Sequence, residues 1–229
     1  MFSEAFLMFF GADMPMAGRG KLAGYMDESR NGCSVSGALK VCTWTYEQKK
    51  MSENMDNRLN ALIRNMMDYD AGDAKRIQHF MKVHYFSYLI GTGEGLDAET
   101  RFVLETAAVV HDIGIHLSEQ KYGVSDGKHQ EQEGPAEARA LLEKTGGYTP
   151  GQIERVCWLV GHHHTYHDIG GIDHQILVEA DFLVNLYEDG MAEEAVRKVR
   201  ERIFRTATGI RLLDTVYLSD SYSFKGCIE

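Results

Sequence analysis

Proline and long apolar runs are scarce in this chain of 229 residues. Only three prolines occur, Pro15, Pro135 and Pro150, and this scarcity favours long helices over a loop-rich β-sandwich. No run of about 18 apolar residues occurs, so we expect no membrane-spanning helix. With 44% hydrophobic and 25% charged residues, the composition is that of a globular protein.

An excess of basic charge and closely spaced cysteines are also lacking. Lys and Arg number 24 against 34 Asp and Glu, which gives a net charge of -10. An acidic chain disfavours non-specific binding to nucleic acids and to anionic membranes, because both need a basic surface. The four cysteines lie far apart without a CxxC pair. They predict reduced thiols in a cytoplasmic protein.

Two catalytic motifs are absent. The sequence contains no HExxH and no GxGxxG. These absences argue against a zinc protease of that type and a dinucleotide-binding loop. The string GTGEG at 91–95 follows a helical pattern rather than a strand, so we interpret it as the end of a helix.

The first fifty residues differ from the rest of the chain. Residues 1–50 hold five acids, six bases and no histidine, whereas all ten histidines lie in residues 51–229. No sustained helical or strand period runs through residues 1–50. We therefore predict an N-terminal extension at 1–50, either poorly structured or upstream of the true translation start, and one domain at 51–229.

From Met51 onward the apolar pattern is helical nearly throughout, without strand alternation or internal repeats. Asp97 is a candidate N-cap, and Thr149 with Gln152 is a candidate capping box. The sequence therefore predicts an all-α helical bundle. Its helices are predicted at 52–69, 73–90, 98–113, from Pro135 to about 146, from Thr149 to about His164, and at 174–188, 191–205 and 209–218.

Four residues that can bind metals lie within apolar helices. Asp181 stands in ILVEADFLVNLYE, where a lone buried carboxylate would be costly unless it were paired, protonated or bound to a cation. His111 and Asp112 follow four small or apolar residues in the string AAVVHDIG. Adjacent side chains on a helix point about 100° apart, but they can converge at the last turn before Gly114. His79 lies on the inward stripe of RIQHFMKVHYF.

These four side chains come from three separate helices, and none has an obvious partner nearby in the sequence. Taken singly, an inward histidine is commonly a hydrogen-bonded core residue, and a buried aspartate commonly caps a helix or pairs with arginine. Together, two imidazoles and two carboxylates form a mixed N/O ligand set, which suits Mn, Fe, Co, Ni, Zn or Mg. We therefore predict a divalent metal site of His79, His111, Asp112 and Asp181.

The order His79, His111–Asp112, Asp181 resembles the HD superfamily of metal-dependent phosphohydrolases. The supporting strings are RIQHFMKV, AAVVHDIG and VEADFLVNL, and the resemblance covers roughly residues 55–190. It implies an HD-domain helical bundle, a divalent metal held by those four residues, and hydrolysis of a phosphate ester or nucleotide. It does not indicate the substrate.

Two features depart from patterns common in that superfamily. Many members continue the doublet as HDIGK, but here Ile115 and His116 follow. The string VGHHHTY at 160–166 resembles the HH element of two-metal members, yet no GYP follows it. His129 and Gln130 are equal candidates for the neighbouring position of that element. We predict one ion per chain, with two ions as the alternative.

The remaining candidates concern substrate binding and proton transfer. We expect His162 or His163 to reach the cleft and to contact phosphate or a second ion, or to transfer a proton. Arg76 lies one helical turn before the first ligand. It would bind substrate phosphate or else form an exposed ion pair, and Gln130 is assigned to substrate binding. Family resemblance and carboxylate chemistry imply that Asp112 holds the metal and orients the attacking water.

The predicted function is therefore a metal-dependent phosphohydrolase that acts on a small phosphorylated substrate such as a nucleotide. The alternative is a non-catalytic HD-like module that binds or senses a nucleotide or a metal without turnover. A plain helical scaffold with fortuitous histidines is a third interpretation. The complete ligand set favours the enzyme, because a degenerate module would be free to lose ligands.

Overall fold

The computed structural model describes residues 57–219, which form helices and no strand. The predicted all-α class is therefore confirmed for this part of the chain, while the predictions for residues 1–50 lie outside the described residues. The helices are α1 (57–69), α2 (Ala74–Gly93), α3 (Ala98–Val110), α4 (Ile115–Tyr122), α5 (Gly127–Thr145), α6 (Pro150–Val160), α7 (Ile172–Glu188), α8 (Glu193–Arg202) and α9 (Ala207–Leu213), followed by a π-helical turn, Asp214–Leu218.

Helices α3 and α7 lie in the centre of the bundle. Helix α3 packs against α2, α6 and α7, and it is buried without interruption from Phe102 to Val110. In α7, 12 of 17 residues are buried, because a helix with apolar side chains on nearly all of its faces packs against neighbours on several sides. Polar side chains on the buried stretches of these two helices are therefore shielded from bulk water.

Side-chain caps fix the starts of two helices where the sequence predicts them. The Asp97 carboxylate accepts hydrogen bonds from the backbone N–H groups of Glu99 and Thr100, each at 3.0 Å. Thr149 and Gln152 form a reciprocal capping box at the start of α6. Each cap contributes about 1 kcal/mol. The caps therefore fix where α3 and α6 begin.

The predicted helix start at Pro135 is wrong. Helix α5 begins at Gly127, where the Asp126 carboxylate caps it, and Pro135 lies inside the helix. An interior proline costs about 3 kcal/mol, so packing has to stabilise α5. Helix α4, Ile115–Tyr122, was not predicted, because Ser118 is its only buried residue and it lacks an apolar stripe.

Helix α2 continues past its predicted end. It runs through Gly91 and Gly93 and stops before Gly95, whose φ of 72° lies in the left-handed region. A Cβ atom at Gly91 would lie 3.2 Å from the Leu104 side chain. The glycine therefore permits a close approach between α2 and α3 rather than ending the helix.

Two findings within residues 57–219 concern the predictions about membrane-spanning helices and cysteines. None of the helices in this range combines the length and the apolar character needed to cross a bilayer. Cys157 is a buried free thiol. The other three cysteines lie outside the described range.

Candidate metal centre

The side chains of His79, His111 and Asp181 meet inside the bundle. His79 Nε2 lies 3.3 Å from His111 Nε2 and 3.2 Å from Asp181 Oδ1. His111 Nε2 lies 3.6 Å from the same oxygen. All three side chains are buried. Helices α2 and α7 and the turn after α3 therefore place one ligand atom each around a common point.

A second hydrogen bond fixes which nitrogen each histidine presents to this point. His111 Nδ1–H donates to the backbone carbonyl of Ala108 at 2.9 Å, and His79 Nδ1–H donates to Glu188 Oε2 at 3.1 Å. The other oxygen of Glu188 accepts from Lys82 Nζ at 2.5 Å. The lone pair on Nε2 of each ring is then free to face the cluster, the arrangement usual for histidines that bind metals.

Asp112 lies between this first group and a second one. Its Oδ2 is 3.5 Å from Nε2 of both His79 and His111, and its Oδ1 is 3.5 Å from His163 Nε2. His163 is fully buried, and its Nδ1–H donates to the Val160 carbonyl at 2.7 Å. Its Nε2 has no hydrogen-bond partner among the described residues. Since an unpaired buried nitrogen is costly, this atom is suited to a cation or a proton donor.

The second group consists of Asp112, His163 and His164, whose ligand atoms lie within 4.8 Å of one another. His164 differs from its neighbour because both of its ring nitrogens are engaged. Its Nε2–H donates to Gln130 Oε1 at 3.1 Å, and its Nδ1 accepts from the Tyr166 hydroxyl at 2.9 Å. Burial lowers the pKa of His164 to about 4. His164 would have to give up one hydrogen bond to bind an ion.

The carboxylates set the charge of the first group. Burial lowers the pKa of His79, but the hydrogen bond to Asp181 and the charges of Asp112 and Asp181 outweigh it and raise that pKa to about 9. The same carboxylates raise the pKa of His111 against the effect of its burial. Burial alone would raise the pKa of each carboxylate, yet the imidazoles bring the pKa of both below the usual range. The cluster therefore favours a positive charge, carried by a proton or a metal ion.

Two similar turns place His111 and His163. Helix α3 ends directly before His111, helix α6 ends at Val160, and a turn follows each helix. The predicted extension of α6 to about His164 is wrong, because Gly161 is the C-cap of this helix. Each histidine donates to the carbonyl three residues before it. Both therefore lie at the electronegative end of a helix, which stabilises a nearby cation.

Gly114 lets the first of these turns pack closely on α5. A Cβ atom at this position would lie 2.7 Å from the backbone oxygen of Gln130 and 2.8 Å from the backbone nitrogen of Gly134. These atoms belong to the backbone and cannot move aside like a side chain. Any larger residue would push the turn that carries His111 and Asp112 away from α5.

An open cavity of about 550 Å³ adjoins the cluster. Its lining is polar, and Ile115 is the one apolar side chain among the described lining residues. Two residues predicted to bind substrate, Arg76 and Gln130, belong to this lining. The lining residues are Asp73, Lys75, Arg76, His79, Asp112, Ile115, Glu119, Ser125, Gln130, His164, Asp181, Asn185, Glu188 and Asp189.

Arg76 lies on the cavity wall and also forms ion pairs. Its NH2 nitrogen is 2.7 Å from Glu119 Oε1, and its NH1 nitrogen is 3.2 Å from Asp73 Oδ2. The side chain of Arg76 is 23% exposed. The position is compatible with both roles that the sequence left open, binding of substrate phosphate and an ion pair.

His162 is turned away from the cluster. Its ring stacks on Trp158 with centroids 4.1 Å apart, and its Nδ1–H donates to the Trp158 carbonyl at 2.7 Å. Its own carbonyl accepts from His174 Nε2–H at 2.7 Å. Of the two histidines expected in the cleft, the structure brings His163 to the other ligands and places His162 in a packing contact.

Three side chains that contact the candidate ligands were not predicted from the sequence: His164, Asn185 and Glu188. Asn185 donates to Asp181 Oδ1 at 2.9 Å. Asn185 and Glu188 follow Asp181 by four and seven residues, and this spacing on one helix face is the signal that could have identified them. The sequence left His129 and Gln130 as equal candidates for one position of the site. His129 is not among the described residues that line the cavity.

Comparison with known protein families agrees with this arrangement. The family model of the HD domain matches residues 76–207, more than half of the chain. The matched range includes His79, His111, Asp112 and Asp181. Searches of curated proteins and of solved structures gave no match.

Proposed function

The chain belongs to the HD domain family, and on that basis we propose that it is a metal-dependent phosphohydrolase. It would cleave a phosphate ester or a nucleotide with water. The observation that carries the proposal is the convergence of four ligands beside an open polar cavity. His79 Nε2 lies 3.2–3.5 Å from the nearest ligand atoms of His111, Asp112 and Asp181.

The first proposed role is metal binding by these four residues. The ion would be Mn, Fe, Co, Ni, Zn or Mg, because the ligands are two neutral nitrogens and two carboxylates. The contacts of Ala108 and Glu188 support this role, since they turn the Nε2 lone pairs of the two histidines toward the cluster. When bound, such an ion lowers the pKa of a water molecule and polarises a phosphoryl oxygen.

Asp112 and His163 would act on the attacking water and its proton. One oxygen of Asp112 belongs to the first group and the other is 3.5 Å from His163 Nε2, so this carboxylate can orient a water molecule between the two. The unpartnered Nε2 of His163 can accept a proton or contact phosphate. His162 has no role in this proposal because its ring stacks on Trp158.

We propose one ion per chain rather than two, because His164 is already committed to other contacts. The Gln130 amide nitrogen donates to the Ser125 carbonyl at 2.6 Å, which turns the amide oxygen toward His164. The second group of ligands supports the two-ion alternative. Metal analysis of Mn²⁺-loaded, dialysed protein distinguishes the two. Two ions per chain, falling to one in His164→Ala, would establish the alternative.

The substrate would be a small phosphorylated molecule such as a nucleotide, held by Arg76 and Gln130. A cavity of about 550 Å³ has the size of a typical small-molecule site. The guanidinium of Arg76 is suited to phosphate because it can donate two parallel hydrogen bonds. The chain's net charge of -10 disfavours a nucleic acid polymer. The widely spaced cysteines support a cytoplasmic location.

A phosphatase screen tests the proposal. The protein is loaded separately with Mn²⁺, Co²⁺, Ni²⁺, Mg²⁺ and Zn²⁺ and offered nucleotides, sugar phosphates and cyclic nucleotides. We expect phosphate release by the wild type and its loss in Asp112→Asn. Asp97→Asn is the matched control, because it makes the same change at an exposed helix cap. Metal and nucleotide binding without any turnover would favour the sensor alternative.

A further inference from the structure

The guanidinium of Arg76 is held at the cavity wall by contacts of two kinds. Asp73 and Glu119 are partly exposed carboxylates, with side chains 34% and 45% exposed. His116 makes the third contact, and Arg76 NH1 lies 3.0 Å from its Nδ1 and 3.4 Å from its Nε2, so the guanidinium packs against both ring nitrogens. The two carboxylates would compete with a bound phosphate for the guanidinium, whereas His116 is not an anion and does not cancel its charge.

The orientation of His116 is fixed from behind by Asp70. This carboxylate is 3% exposed and accepts a hydrogen bond from His116 Nε2–H at 2.9 Å. The proton on Nε2 leaves the lone pair on Nδ1, the nitrogen nearest Arg76. The ring of Tyr69 packs edge-on against the imidazole with centroids 5.5 Å apart. Asp70 thus holds the His116 ring against the Arg76 guanidinium at the cavity wall.

We propose that Asp70 and His116 are positioning residues that hold the Arg76 guanidinium ready for the phosphoryl group of the substrate. The inference rests on the proposed function, because it needs a phosphate in the cavity. A free arginine side chain loses much rotamer freedom when it binds a ligand, and a pre-ordered one loses less. The guanidinium has five N–H donors, so the contacts that hold it leave donors for phosphate.

A double-mutant cycle tests this role. The variants are Arg76→Ala, His116→Phe and the combination of both, since phenylalanine keeps the ring beside Tyr69 but removes both nitrogens. His116→Ala serves as a second variant if the phenylalanine disturbs folding. Binding of inorganic phosphate to the Mn²⁺-loaded protein is measured by calorimetry, and KM and kcat are measured with p-nitrophenyl phosphate. His84→Phe is the control, because His84 pairs with Glu105 away from the cavity lining.

We expect His116→Phe to weaken phosphate binding and to raise KM by about three- to tenfold. The metal content should stay the same, and kcat should stay within about twofold, because His116 does not belong to the metal cluster. In the Arg76→Ala background, His116→Phe should have no further effect, since it acts only through the arginine. His84→Phe should match the wild type in both measurements.

Two results would overturn the inference while leaving the proposed function intact. One is wild-type phosphate affinity in His116→Phe and His116→Ala. The other is an equal loss of affinity with and without Arg76, which would mean that His116 acts independently of it. A wild-type protein that neither binds phosphate nor hydrolyses any ester would instead contradict the proposed function, and this inference would fail with it.

Discussion

Metal binding should release a proton from the first group of ligands. In the metal-free protein, burial is outweighed by the carboxylates around His79, which raise its pKa to about 9. The ring is then about 99% protonated at pH 7, so an incoming ion has to displace the proton. We expect about one proton released per ion at pH 7. His111, whose pKa is also raised, can only add to this number.

The same proton sets how the metal affinity varies with pH. Below the pKa of His79, protons and metal ions compete for one nitrogen. The affinity should therefore rise about tenfold per pH unit between pH 7 and pH 9. Above about pH 9 the ring has lost its proton, and the affinity should level off.

The stability of the metal-free protein should change in the opposite direction. A histidine with a raised pKa contributes stability that is full below about pH 6.5 and is lost as the pH rises through about 9. The interval between these pKa values corresponds to at most about 3 kcal/mol in the free energy of unfolding. This figure already includes the contact between His79 and Asp181, which therefore adds nothing further. For a domain of this size that is roughly 6–12 °C in Tm.

Two measurements check these expectations. Calorimetric titration of Mn²⁺ into chelator-treated protein, in two buffers of different ionisation enthalpy, gives the number of protons released. Melting in EDTA at pH 6.5 and pH 9.5 gives the loss of stability, with His79→Gln as the control that should lack it. Absence of proton release at pH 7, or an equal loss of Tm in His79→Gln, would show that His79 is neutral in the metal-free protein.

Four further substitutions test single contacts of the site. Asp181→Asn should abolish metal binding, which metal analysis checks. Because the amide has nearly the same shape as the carboxylate, the Tm measured in EDTA above pH 9 should shift by no more than about 4 °C. Glu188→Gln should weaken Mn²⁺ affinity about 10- to 100-fold in a chelator competition, since it orients His79 through Nδ1–H. His163→Ala should lower turnover with the first ion retained, whereas His162→Ala should keep turnover and lower the Tm by about 2–4 °C through the lost stacking on Trp158. Equal losses of turnover in the two histidine variants would contradict the assignment of His163.

The all-α fold and the first group of ligands could be predicted because both depend on local signals. Apolar residues at helical spacing identify α3 and α7, and a capping box marks the start of α6. Asp181 stands out because its helical neighbours are apolar, so its partner has to come from another helix. That argument needs only the period of a helix and the cost of burying a charge.

The contacts that orient the ligands could not be predicted, because they join residues far apart in the sequence. Glu188 lies 109 residues from His79, and Asp70 lies 46 residues from His116. The spacing of Glu188 from Asp181 places both residues on one face of α7, but it does not show that His79 is the partner of Glu188. Only the packing of α2 beside α7 makes Glu188 the partner of His79.

The choice between His162 and His163 shows how much can depend on one helix end. On a continuous helix the two rings would point about 100° apart, and nothing local would decide which one faces inward. Helix α6 stops at Val160 instead, and the turn that follows lets the Val160 carbonyl accept from His163 Nδ1–H, while the Trp158 carbonyl accepts from His162. The first bond turns His163 Nε2 toward Asp112, and the second keeps the other ring stacked on Trp158. The end of this helix, rather than the number of histidines in the run, therefore decides which imidazole faces Asp112.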